Sequence, residues 1–174
     1  MANTFELIAS STVGLLGAAS FDFTSIPSTY TDLVVKISAR SDAATDSEHI
    51  YVTFNGSASA QYSMLRFRGT GTAASSYSEA TQTSINFYNA VDALTATANT
   101  FSNNELYVPN YAGSTNKSVS FDSVEENNAT GANAVLFAGL WSNTAAINRI
   151  TLASTGSNKF VQYSTAYLYG VKNA

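Results

Sequence analysis

The only histidine, His49, stands in an acidic stretch with Asp42, Asp46 and Glu48. Carboxylates gathered beside an imidazole are the raw material of a weak calcium site or a pH-sensitive contact. The same residues suit a solvated acidic loop with a surface histidine, and that reading is preferred. Their spacing matches no calcium-loop pattern and lacks the glycine that an EF-hand turn requires. A serine–histidine–carboxylate arrangement would have to use His49 itself. Glycoside hydrolysis asks for two carboxyl groups about 5 to 9 Å apart across a cleft. The acids available for it are Glu105, Asp122 and Glu125-Glu126, and nothing in the sequence ties them to one cleft. Asp122 is expected to face outward, opposite Val119 and Phe121, and Glu125-Glu126-Asn127-Asn128 reads as a solvated turn. The chain has no cysteine, which excludes disulfides, thiolate metal sites and thiol nucleophiles together. No catalytic, cofactor-binding or metal-binding residue is assigned, no cofactor is expected, and the protein is read as a non-enzyme.

Side chains suited to contact are better represented. Tyr163, Thr165, Tyr167 and Tyr169 alternate on one face of a final strand. A phenol offers apolar area with a hydrogen-bonding tip, so this ladder suits subunit packing, core burial or sugar stacking. Arg66 and Arg68 share one strand face opposite Leu65 and Phe67. They suit pairing with carboxylates of a neighbouring chain, or a solvated strand face. The turn Gly14-Leu15-Leu16-Gly17 puts two leucines at a hairpin tip, where they either fold over the end of the domain or dock into another protein. Trp141 ends an apolar strand and is expected in the core.

The elements that must position these residues are strands. Leu33, Val35, Ile37 and Ala39 alternate with Val34, Lys36, Ser38 and Arg40, and Ile50, Val52 and Phe54 alternate with Tyr51, Thr53 and Asn55 before the turn signal Asn55-Gly56. Further strands are expected at Phe5–Val13, Ala19–Phe23, Met64–Arg68, Ser84–Tyr88, Phe101–Val108, Ser118–Val124, Ala134–Trp141, Ile147–Ala153 and Phe160–Tyr169. Ala134, Leu136, Ala138 and Leu140 make the second face of their strand apolar too, which suits a central strand or one covered by a partner. The stretch Ala90–Thr100 suits one helical turn or a loop. Ten or eleven short strands in one domain, residues 1–174, predict an all-β, two-sheet antiparallel β-sandwich of jelly-roll type.

Only 11% of the 174 residues are charged, where about 25% is usual. Ser, Thr, Asn, Gly and Ala cover the surface instead, and such a surface loses little on being buried against a neighbour. The net charge of −4 and the scattering of the 8 basic residues argue against nucleic acid as a partner. No apolar stretch is long enough to span a bilayer as a helix, and the first residues lack a basic n-region, so no membrane partner and no secretory signal are expected.

Three groups of residues carry a family likeness. They are Phe5–Ser10 with Phe23–Leu33, then Val108–Lys117, then Ala138–Ile147 with Gln162–Gly170. On them the chain resembles small virion structural proteins of tailed bacteriophages, especially those of aquatic bacteria. The resemblance implies a jelly-roll-like virion protein, a homotrimer, made in the host cytoplasm and placed on the capsid exterior or the tail. A decoration (cement) protein bound to the major capsid protein is the leading expectation, because the chain shows no fibre shaft. A tail-associated receptor- or carbohydrate-binding module is the alternative. The chain departs from the likeness at Leu15-Leu16, where small residues are expected. For contacts the expectation falls on Leu15 and Leu16, then Arg66 and Arg68, with Tyr163, Tyr167 and Tyr169 packing subunits.

Overall fold

The computed structural model describes residues 4–128 and 131–172. Twelve strands make up the regular structure: β1 Phe5–Thr12, β2 Ser20–Phe23, β3 Asp32–Ala39, β4 Ser47–Phe54, β5 Tyr62–Gly69, β6 Ala74–Gln82, β7 Ile85–Asp92, β8 Ser102–Val108, β9 Lys117–Glu125, β10 Asn133–Trp141, β11 Ile150–Ala153 and β12 Thr165–Val171. No helix occurs among the described residues, and Ala90–Thr100 completes β7 and continues as a loop. The alternation of apolar and polar side chains is what selects strands here, because it gives each pleated segment one face to bury.

The strands form two antiparallel sheets, ordered β1-β12-β3-β8-β9-β10-β5-β6 and β2-β11-β4-β7. The chain is therefore an all-β sandwich. With the hairpins β5–β6 and β9–β10 set aside, the remaining order is β1-β12-β3-β8 over β2-β11-β4-β7. That order is compatible with a jelly roll. The two hairpins widen only the larger sheet.

The core lies between the sheets. Phe87 from the small sheet stacks on Phe121 of the large one with centroids 3.9 Å apart, and Phe137 meets both edge-on. Trp141 lies over Tyr62 and beside Phe54, buried as its sequence position predicts. The Tyr62 hydroxyl accepts from Phe54 N (3.0 Å) and donates to Ser57 O (3.1 Å), so the phenol is buried without an idle polar tip.

Two polar devices hold the loops. The Arg40 guanidinium donates to the carbonyls of Ala96, Thr97 and Thr100 at 2.8 to 3.0 Å, folding the loop after β7 around itself. His49 packs edge-on against Tyr88, and its Nδ1 accepts from Asn89 N at 3.1 Å. Asn89 adopts φ 57° where the β4–β7 register slips, so the histidine staples a β-bulge. Burial, with help from Arg66, lowers its pKa against the pull of Glu48 and keeps the ring neutral.

Candidate interaction surface

The Gly14–Gly17 turn closes with Gly17 N donating to Gly14 O at 3.1 Å. Gly17 has φ 69°, and a Cβ there would stand 3.0 Å from Phe160 O, so glycine is required. Between the two glycines, Leu15 and Leu16 are 81% and 85% exposed. They do not fold over the sandwich. Tyr163 N donates to Val13 O (3.0 Å) and Val13 N to Ser164 O (2.8 Å), which places the exposed Tyr163 beside the base of the tip. The loop that Arg40 organises brings a further exposed residue, Leu94, to the same end: Leu94 N donates to Ala43 O, and Asp42 N to Lys159 O next to the tip. Leu94 carried no sequence signal, because its exposure depends on a loop shaped by a distant arginine.

Tyr163 is not part of the last strand. It sits at φ 73° in a turn closed by Ser164 N on Val161 O, and β12 begins at Thr165. Tyr167 and Tyr169 do share the outward face with Thr165, Tyr167 in register with Lys36 and Tyr169 with Val34.

The charged pair on β5 lies on the face turned toward the small sheet. Arg66 donates to Asn89 Oδ1 (3.2 Å), and its Cζ stands 5.7 Å from the ring centres of Tyr77 and Tyr88. Arg68 donates from Nε to Asn133 Oδ1 (2.6 Å). Where the sequence suggested carboxylates of another chain or open solvent, both side chains instead have partners within this one. The reason is register: Tyr62 and Met64 are core residues, and period two carries Arg66 and Arg68 inward behind them.

Leu65 and Phe67 therefore point outward. Register sets them beside residues of the neighbouring strands: Leu65 faces Ala138, and Phe67 faces Leu136, which in turn faces Asp122. Leu65, Phe67, Leu136 and Val124 are between 42% and 58% exposed. Small residues surround them, Ala134, Ala138, Ser120, Gly69 and Ser76, so the face has ridges and hollows. One hollow of about 670 Å³ is lined by Phe67, Val124, Leu136, Ala134 and Ala74. A second, of about 240 Å³, lies across the Phe67–Leu136 ridge. The second apolar face of β10 is thus real, and none of the described residues covers it.

The candidate acids are not gathered in a cleft. Glu105 and Asp122 are opposite each other on the open outer face, and Glu105 is paired with Lys36. Asp42 Oδ1 accepts from Lys159 N (2.7 Å), while Glu48 accepts from His49 N and Asn158 Nδ2 (2.8 and 2.6 Å). Among the described residues no group of three His, Cys, Asp or Glu is placed to hold a metal ion. Glu125, read as part of a solvated turn, is instead the last inward residue of β9 and is buried. No protein-family model matches this chain, and neither does any curated protein sequence.

Proposed function

We propose that this protein is a non-enzymatic virion structural protein, a decoration protein that reinforces a phage capsid from outside as a homotrimer. The observation that carries the reading is the pair of uncovered apolar surfaces on a domain with so few charges. One is the Leu15–Leu16 tip; the other is the outer face of β9, β10 and β5. Three strands about 4.8 Å apart and seven residues long give that face roughly 340 Å². A standard interface takes about 800 Å² from each partner. Neither surface alone reaches that area, so each contact has to draw on neighbouring residues. The tip, with Tyr163 and Leu94 at the same end, meets the major capsid protein. The apolar face and the Tyr167–Tyr169 side of the sheet pack against copies of this chain. Reinforcement then needs only contact area and mass action on the assembled shell.

Quantitative mass spectrometry of purified particles tests this, with near-stoichiometric copy number expected relative to the shell protein. Absence from the particle sinks the proposal, and presence at only a few copies moves the protein to the tail. The tail alternative, receptor or carbohydrate binding, draws on the exposed rings of Tyr163 and Tyr167. Selective glycan retention that is lost in Tyr167→Ala would favour it.

A further inference from the structure

We propose that Glu125 and Asp92 form a buried carboxyl–carboxylate pair holding one proton, and that losing it loosens the loop end of the sandwich. Three side chains fix the placement. Ser123 Oγ donates to Ala90 O on β7 (3.2 Å), and Asn127 Nδ2 donates to Asp92 Oδ1 (2.9 Å). Glu125 points inward midway between Ser123 and Asn127, and so toward the end of β7 that Asp92 occupies. Both acids are 1% exposed. Each has one satisfied oxygen, Glu125 Oε2 accepting from Asn133 Nδ2 at 2.6 Å. Each also has a buried oxygen with no hydrogen-bond partner, Glu125 Oε1 and Asp92 Oδ2.

Two ionised carboxylates with bare buried oxygens repel each other and forfeit their hydration. One proton removes both costs, because it converts an idle acceptor into a donor for the other acid. The surrounding charges favour this. Asp46, from the loop before β4, adds further negative field. Among the described residues Arg68 on β5 is the cation acting on Glu125, and its Nε is taken by Asn133. Arg40 is bridged to Asp92 through the backbone, but its guanidinium serves the loop carbonyls. Burial foremost, opposed by the Asn133 hydrogen bond and aided by Asp92 and Asp46, pushes the Glu125 carboxyl up to about 8.

The pair lies under the loops that carry the exposed end. Ser41 N donates to Asp92 O (2.8 Å), and Ala93 N donates to Asp46 O (3.0 Å). A glutamate in the unfolded chain ionises near the ordinary value of 4.5. Between that value and about 8 the folded state therefore holds the extra proton. Stability falls with rising pH across this window and levels off above it.

The thermal midpoint of the wild type is expected to drop by roughly 10 °C between about pH 5.5 and about pH 9. Glu125→Gln, which keeps a donor without a titrating proton, should hold its midpoint level. Asp92→Asn should flatten the drop in part, and it serves if the first variant does not fold. In the wild type, carbon-13 titration should find one glutamate carboxyl among the six ionising near the raised value. A level wild-type midpoint, or glutamates that all ionise in the ordinary range, overturns the proposal. So does calcium chloride raising the wild-type midpoint at high pH but not that of Glu125→Gln, because the pair would then hold a cation.

Discussion

The outer face of the eight-stranded sheet divides into two halves that handle apolar side chains differently. Across β12, β3 and β8, Val34 points outward yet is 2% exposed, flanked in register by Tyr169 and Tyr107. Tyr107 donates to Asp32 Oδ2 at 2.7 Å, which holds its ring in place, and Lys36 pairs with Glu105 one row away. Across β9, β10 and β5, the same rows continue as Ser120, Ala138 and Leu65, and as Asp122, Leu136 and Phe67. There the large side chains lie beside one another, Asp122 and small Ser, Ala and Gly, with no long amphipathic neighbour across them, and they stay open. Apolar residues occur in both halves. The halves differ in whether long amphipathic neighbours lie across them, and this marks the second half as a surface for a partner.

The largest effect is expected from the inward side of that second half. Arg66 is the cation between Asn89, Tyr77 and Tyr88, beside Glu79. Burial works to raise the Glu79 pKa, but hydrogen bonds from Tyr88, Asn86 and Tyr77 outweigh it and lower it, and burial and Glu79 push Tyr88 up to about 12. Arg66→Ala removes the charged hydrogen bond to Asn89 and the contacts with two tyrosine rings, and should cost about 3 kcal/mol. Urea denaturation measures it; a loss below about 1 kcal/mol would mean the arginine is merely solvated.

Val34→Ser comes next. It places a hydroxyl under Tyr169 and Tyr107 and should cost about 2 kcal/mol in the same measurement. The matched change in the other half, Phe67→Ser with Leu136→Ser, should leave stability within about 1 kcal/mol, because both side chains are already wet. Self-association in sedimentation should weaken instead. If the double variant is destabilised as much as Val34→Ser while its association is unchanged, the two halves are alike after all.

Most of the strands were legible because each buries one face, and period two records that choice residue by residue. β6 was not. Its sequence, Ala-Ser-Ser-Tyr-Ser-Glu-Ala-Thr-Gln, shows no apolar alternation. Beyond its ladder with β5, the strand is held by Glu79, which accepts from Tyr88 (2.7 Å) and Asn86 (2.8 Å) of β7. Such a hold depends on residues that meet only after folding. The polarity of β5 was hidden for the same reason. Alternation separates Arg66 from Phe67, but which set goes inside is decided when Tyr62 and Met64 join the core, and the rings of Tyr77 and Tyr88 then receive Arg66. Leu15-Leu16 was legible in part: the glycines on either side marked a hairpin tip, and the folded chain decides that the leucines stay exposed rather than fold over the sandwich end.

The smallest expected effect bears on the boundary between the halves. Glu105 on β8 and Asp122 on β9 are opposite each other, and Lys36 lies on the far side of Glu105. Like charges directly opposed on a sheet repel by a few tenths of a kcal/mol. Asp122→Ser should therefore stabilise the protein by about 0.3 kcal/mol, with the gain shrinking as salt is added. It should also strengthen self-association, because Asp122 carries a charge on the outer face beside the Phe67–Leu136 ridge and its hydration is lost when a partner covers the face. Sedimentation of Asp122→Ser against the wild type in low and high salt decides the point. Weaker association in the variant would make Asp122 a contact in its own right, and the boundary between the halves would then move to β10.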